Sequence, residues 1–400
     1  MKRNNRIMAL ALAAVLGLGW TSSAKADDTS ANISIAKFIS NLKMGGDLRI
    51  RQENFWKSTP GQVDRSRQRY RLRFGINPII DNYYAVFRMA SGTGEQVSTN
   101  QSFDNLSGQK ALWIDQAYMG WKAFEWMGLK ATVQAGRMQN PLWRIYSSDV
   151  VWDDDFNPEG FSQSLEYAHG RGNVFFNALQ MVLDEDSSDN RDQWLYGFQV
   201  GAKTRVYKDN FFTIAAALLD AENERVNDFG AAANNEGNTR FQNAASTGTA
   251  FFTMAHLTAE IKTKVWILPV TIMGDYVNNI ADNSVDPRNA ASNRVMGSSG
   301  TEKVGYQFGA VIGQAKNAMT WEVAYFYKWS ETNSTIADIS DSDFGDGGTN
   351  RKGHIVWVAF NPKEYLQIKA KFFNTEVLRE DLLPRRDHIN RFQLDASLKF

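Results

Sequence analysis

The chain has 400 residues, with 44 Lys and Arg balanced by 44 Asp and Glu, and no Cys. The balanced charge excludes a bulk bias toward nucleic acid, and the absence of Cys excludes a disulfide scaffold and thiolate chemistry. Beyond the N-terminal leader, no run reaches the roughly 18 apolar residues that a membrane helix needs.

In chain order, Lys2, Arg3 and Arg6 form a basic start, Ile7 to Trp20 an apolar stretch, and Ala24-Lys25-Ala26 a small-x-small cleavage site. Residues 1–26 therefore read as a signal peptide removed on export. Its removal takes four basic residues and leaves a mildly acidic chain. Residues 27–44 are polar, with a short helical spacing at Ile35, Phe38, Ile39 and Leu42. From residue 45 onward the apolar period is two, as in half-buried strands. Strands are expected near 46–54, 66–77, 82–91, 110–121, 128–137, 160–168, 172–183, 192–207, 210–220, 250–262, 265–278, 302–314, 318–330, 351–361, 364–377 and 388–400. This is about sixteen antiparallel strands.

The connections alternate in length. Short turns are expected at Asn77-Pro78 through Asn82, at His169 to Gly172, at Lys208 to Asn210, at Ala315 to Asn317 and at Asn361 to Glu364. Long polar segments lie near 55–65, 92–109, 138–159, 184–191, 221–249, 279–301, 331–350 and 378–387. Long connections at one end and short ones at the other predict an all-β transmembrane antiparallel barrel of about 16 strands. The aromatic content of 12 % suits interfacial girdles. No fixed-period repeat suggests a solenoid or propeller. A soluble β-sandwich would have no reason to gather its long loops at one end.

The wet face follows from Arg67, Arg69, Arg71 and Arg73, which share one side of the second strand, opposite Tyr70, Leu72, Phe74 and Ile76. Each Arg on the lipid face costs about 2–4 kcal/mol near the midplane, so the Arg side lines water. Arg49 and Arg51 on the first strand, Arg88 on the third, Lys369 and Lys371 on the fifteenth, and Arg391 and Lys399 on the sixteenth extend it. These residues form an expected basic wall along the lumen. The alternative is a ladder of Arg, Asp and Glu paired for structure alone.

The third long loop, 138–160, carries Asp149, Asp153, Asp154, Asp155 and Glu159 against Arg144. It also holds Leu142, Trp143, Ile145, Tyr146, Val150, Val151, Trp152 and Phe156. So much apolar material predicts a loop folded back into the lumen, where it narrows the pore and sets acid against the basic wall. Asp oxygens in this loop could instead bind Ca²⁺. The later Asp341, Asp343, Asp346 run is a poor EF-hand, because Lys352 falls where the closing Glu belongs.

The last strand puts Phe392, Leu394, Ala396, Leu398 and Phe400 on one face and Arg391, Gln393, Asp395, Ser397 and Lys399 on the other. A terminal Phe on an amphipathic last strand resembles the closing strand of bacterial outer-membrane barrels, where the residue is also an assembly signal. GDLRIRQE at 46–53, DRSRQRYRLRFGI at 64–76, FRMASG at 87–92, STNQSF at 98–103, LWIDQAYMGW at 112–121, AGRMQNPLW at 135–143 and DDDFNPEGF at 153–161 resemble the Putative porin family of Gram-negative outer membranes. They cover about the first third of the exported chain.

The resemblance implies a signal peptide at 1–26, a short periplasmic segment at 27–44 and a porin barrel at 45–400. It implies passive diffusion of ions and small hydrophilic solutes in the cell outer membrane. The implied partners are outer-membrane lipid, lipopolysaccharide and the barrel assembly machinery, with a homotrimer as the possible oligomer. AGRMQNP is also similar to phosphate-selective porins, whose lumen carries an arginine ladder, although no central Lys cluster matches theirs. An anion- or phosphate-selective channel and an occluded structural or adhesive barrel are the alternatives. No enzyme is expected. His169, His256, His354 and His388 show neither HExxH nor close metal-ligand spacing, and no Gly-rich phosphate loop opens a helix. No cofactor or metal is therefore expected.

Overall fold

The computed structural model describes residues 41–58, 63–146, 148–185, 187, 192–222, 238, 240–242, 247–249, 251–281, 302–379 and 388–400. The expected signal peptide, residues 27–40, and most of the loops near 221–249, 279–301 and 378–387 lie outside them.

Among the described residues, sixteen long strands build the wall in chain order. They are β1 (Leu42–Lys57), β2 (Arg65–Ile80), β3 (Tyr83–Ala90), β4 (Trp113–Trp126), β5 (Leu129–Arg137), β6 (Glu159–His169), β7 (Gly172–Asp184) and β8 (Gln193–Tyr207), then β9 (Asn210–Glu222), β10 (Thr253–Val265), β11 (Leu268–Asn279), β12 (Val304–Gly313), β13 (Thr320–Ser330), β14 (Arg351–Lys363), β15 (Leu366–Val377) and β16 (Ile389–Lys399). Each pairs antiparallel with the next. β1 pairs with β16 from Asp47↔Lys399 to Lys57↔Ile389, so the sheet closes on itself. Closure removes the unpaired edges that lipid would not tolerate. Every expected strand is found. β1 already starts at Leu42, inside the segment read as separate from the barrel. β2 runs past Pro78 to Ile80, and β14 runs past Pro362 to Lys363 across a register shift, so the two Pro-containing turns are really strand ends.

The burial pattern is inverted relative to a soluble protein. Ile50, Phe74, Ile214, Leu257, Ile272, Val356, Phe372 and Leu394 point outward and are exposed. Gln199, Thr258, Gln307, Lys328, Thr375, Arg391 and Gln393 point inward and are buried. Apolar residues therefore face outward and polar ones inward, as a hydrocarbon surround and a polar lumen require. Trp126, Tyr207, Trp266, Trp321 and Tyr365 ring the short-turn end, while Trp56 and the stacked pair Tyr306 and Trp329 stand near the other end. These are the two aromatic girdles.

At the seam, Gly46 N–H donates to the Phe400 carbonyl at 2.9 Å, and Phe400 N–H donates back to Gly46 at 3.1 Å. A Cβ on Gly46 would lie 2.2 Å from the Arg73 carbonyl oxygen and 3.0 Å from the Phe400 ring, so glycine is required there for close approach.

β3 has only eight residues and leaves the loop-end half of β2 without a full partner. The second loop folds back to supply one, with Gln101–Ser102 pairing against Tyr70 and Arg69.

Candidate pore constriction

Among the described residues, the second, third and seventh loops fold into the lumen. In the third, Leu142, Val150, Val151, Trp152 and Phe156 pack with Leu179 and Met181 of β7, Leu195 of β8, Leu219 of β9, Met254 of β10 and Val277 of β11. Ile145 joins a second cluster with Phe326, Ile355, Trp357 and Phe373, against which Trp143 and Tyr146 pack. Burying a large apolar side chain is worth about 1.5–3 kcal/mol, which pulls the loop inward. The polar lumen also grips its backbone. Gln199 accepts from Trp143 N–H at 2.7 Å and donates to the Trp143 carbonyl at 2.9 Å.

The seventh loop, read from sequence only as a polar connection, enters the same clusters through Ile336, Ile339 and Phe344. It joins the third loop directly: Asp153 N–H donates to the Ile339 carbonyl at 2.8 Å, and Ser342 N–H donates to Asp153 Oδ2 at 2.8 Å. The second loop completes the set. Thr99 donates its N–H and hydroxyl to Asp155 Oδ2 at 3.2 and 3.1 Å, and Ser342 Oγ donates to the Val97 carbonyl at 2.8 Å. The sequence signal was faint: the isolated Val97, Ile336, Ile339 and Phe344 sit in otherwise polar loops.

The basic residues occupy two levels. Toward the long-loop end, Arg67, Arg69 and Arg391 line a cavity of about 310 Å³ with Phe55, Lys57 and Arg65. Toward the short-turn end, Arg49, Arg51, Arg71, Arg73, Lys369, Lys371 and Lys399 line one of about 370 Å³. Facing them are Asp153, Asp154 and Asp155 of the third loop and Asp341 and Asp343 of the seventh, with Asp47 and Asp395 set among the bases.

Most of these bases are ion-paired. Arg51 clamps Asp395 with two bonds of 2.7 and 2.9 Å and reaches Asp343 at 3.2 Å. Arg71 and Arg73 share Asp47 at 2.8 and 2.7 Å, and also face Asp155 at 3.7 and 3.6 Å. Arg67 and Arg391 both hold Glu53, and Arg391 bonds Asp343 at 2.6 Å. Arg69 donates to the Asn100 carbonyl at 3.2 Å, and Arg49 to the Asn100 side chain. Lys369 lies 4.6 Å from the Trp357 ring centre and Lys371 4.4 Å from that of Phe373, in cation–π geometry. Arg88 stands apart from both cavities, paired with Asp115.

The acidic residues divide similarly. Asp149 is wholly buried and caps its own loop, accepting from Val151 and Trp152 N–H at 2.8 and 2.7 Å. Arg144 donates to the Asp153 carbonyl at 3.1 Å. Glu159 opens β6, is exposed and pairs with Arg137 at 2.7 Å, so it is not among the residues facing the basic wall. Burial, then the charges of Asp155 and Asp341, push the Asp153 carboxyl well above the usual range. Asp154 is open to the lumen, yet desolvation by the surrounding loops and the charge of Asp155 push it up as well. Against its own burial, Asp155 is held below the usual range by Arg71 and Arg73. Asp343 is half-buried, and Arg391 and Arg51 hold it well below that range. At the acidic tip Asp153 is thus committed to backbone N–H groups, and Asp155 and Asp343 to guanidiniums, which speaks against Ca²⁺ there.

A closed sixteen-stranded barrel with an apolar outer face, aromatic girdles and a charged, loop-narrowed lumen defines an outer-membrane porin. The family model described as Putative porin matches residues 39–253 and 225–400, and the chain belongs to that family. No curated protein sequence matches it. Among solved structures, the barrel is similar to OprB of Pseudomonas putida, with a TM-score of 0.56 and 10 % identity, over 91 % of this chain and 96 % of that one. It is also similar to Salmonella typhi OmpF, with a TM-score of 0.51 and 10 % identity, over 90 % and 97 %. At such identities the likeness is one of fold.

Proposed function

We propose that this outer-membrane porin is a passive diffusion channel for ions and small hydrophilic solutes with a weak preference for anions. The observation that carries this reading is the slight excess of basic groups lining the two cavities taken together. Twelve bases and ten carboxylates line them, with Asp343 shared by both. The opposed charges set a field across the pore that orients polar solutes as they pass. The same reading takes in a cleaved signal peptide, contacts with lipopolysaccharide, delivery by the barrel assembly machinery and a homotrimer.

The test is the reversal potential of the purified exported chain in a planar bilayer under a KCl gradient. Stepwise channels with an anion-favouring potential support the proposal. A cation-favouring potential keeps the pore but gives control to the loop acids. A second reading is favoured by the packing of three loops across one lumen: an occluded structural or adhesive barrel. Folded protein that opens no channels would establish it.

A further inference from the structure

We propose that Asp149, His256 and Asp275 form a binding site for one divalent transition-metal ion, which pins the third loop to the barrel wall. One oxygen from each carboxylate and one ring nitrogen of His256 lie within 4.8 Å of one another. They come from three places in the chain. Asp149 stands at the turn of the third loop, His256 on the lumen face of β10, and Asp275 on the lumen face of neighbouring β11. Strand pairing brings the last two together, since Thr258↔Asp275 and His256↔Val277 are in register. His256 Nε2 and Asp275 Oδ2 are 3.3 Å apart.

The second observation is an unmet need for a cation. All three side chains are more than nine-tenths buried. Asp149 spends Oδ1 on Val151 and Trp152, and Asp275 accepts from Val150 N–H on Oδ2 at 2.8 Å. Asp149 Oδ2 and Asp275 Oδ1 have no hydrogen-bond partner among the described residues. An unsatisfied buried polar group costs about 1–3 kcal/mol, more when charged. The nearby cation, Lys328, donates to the Asp149 backbone carbonyl at 2.9 Å and lies 3.7 Å from Asp341. A divalent ion would balance both carboxylates and use the free oxygens.

The donor set, one imidazole and two carboxylates, suits Zn²⁺ and its first-row neighbours better than Ca²⁺ or Mg²⁺. Zinc bonds of about 2.0–2.2 Å place tetrahedral ligands roughly 3.3 Å apart. Closing from the present spread therefore asks for inward side-chain shifts on the order of 1 Å. The acidic tip, Asp153 to Asp155, follows Asp149 within one turn, so an ion here would hold that tip toward the basic wall.

The experiment uses the whole exported chain, folded in detergent and stripped with EDTA, with Co²⁺ as a spectroscopic probe and Zn²⁺ as competitor. One Co²⁺ per chain with a visible d–d band, displaced by Zn²⁺, is expected. His256→Gln and Asp275→Asn should each weaken binding at least about tenfold while retaining the strand circular dichroism. Wild-type protein that takes up no stoichiometric Co²⁺ would overturn the site, and this readout needs no variant to fold. Unchanged binding by His256→Gln would also overturn it, assigning the ion to the exposed His169, His354 or His388. The pinning role has its own readout: Zn²⁺ should quieten current fluctuations of stripped channels, and unaltered noise would refute it. None of these metal-binding results depends on which ions the pore prefers, so they stand or fall apart from the selectivity proposal.

Discussion

Arg391 of the last strand bonds Asp343 of the seventh loop at 2.6 Å, and the same guanidinium holds Glu53 of the first strand. Arg391 also donates to the carbonyls of Ser342 and Asp343 at 3.1 and 2.8 Å. One side chain thus ties the barrel seam to a loop that narrows the lumen. Asp343→Asn should weaken that clamp by roughly 1.5–3 kcal/mol, the range for hydrogen bonds to charged groups. The expected outcome is a lower melting temperature and larger, noisier single-channel currents; an unchanged conductance would show that the loop stays in place without the pair.

The Asp343 pair also has a pH signature. Its carboxyl is held well below the usual range, so the stabilisation is present above the unfolded value near 3.9 and is lost as pH falls through the lower folded value. The clamp should therefore survive at pH 5. Melting curves between pH 7 and pH 3 test this: the Asp343-dependent part should hold through pH 5 and shrink only in stronger acid.

Asp153 and Asp154 behave in the opposite sense. Their carboxyls are raised, so the neutral form persists to higher pH than usual and the loop gains negative charge as pH rises. The KCl reversal potential should become less anion-favouring from pH 5 to pH 8. In Asp153→Asn/Asp154→Asn the pH dependence should flatten. An equal slope in the double variant would assign the titration elsewhere.

Replacing Arg71 and Arg73 by Ala should shift the reversal potential toward cations. Both hold Asp47 and face Asp155, so their loss leaves two carboxylates without these partners across the lower cavity. Arg69→Ala should have a smaller effect on selectivity, because Arg69 lines the upper cavity. Both variants should still fold, since neither removes an apolar contact of the barrel wall. Equal potentials in wild type and the Arg71/Arg73 variant would make the wall a structural ladder.

The period-two pattern made the barrel legible, because a closed sheet between lipid and water forces alternation on every strand. Prolines misled at two turns, since Pro78 and Pro362 sit within strand ends rather than beyond them. The inward fold of the third loop was legible in Val150, Val151 and Trp152. That of the seventh was not, because its anchors Ile336, Ile339 and Phe344 stand singly among polar residues, and Asp343 meets Arg51 and Arg391 only across the fold. The Arg side chains were placed on the wet face, but their partners Asp47, Glu53 and Asp395 emerge only from the register of β1 with β2 and β16. His256 and Asp275 meet by the same kind of pairing, 19 residues apart, beyond any local spacing rule.

Deleting residues 150–155 should raise conductance only partly. The third loop packs into the lumen-side clusters together with the seventh, whose Ile336, Ile339 and Phe344 would remain. Removing 335–345 as well should open the pore further, so the two deletions should combine to more than either alone. Trp152→Ala separates packing from blockage: it keeps the loop length but removes a fully buried ring, at a cost of about 3–5 kcal/mol. If that single change gives channels as large as the deletion, the apolar anchor holds the constriction closed. If it lowers the melting temperature without enlarging the current, the polar contacts of Asp153 and Asp155 with the other two loops suffice to keep it in place.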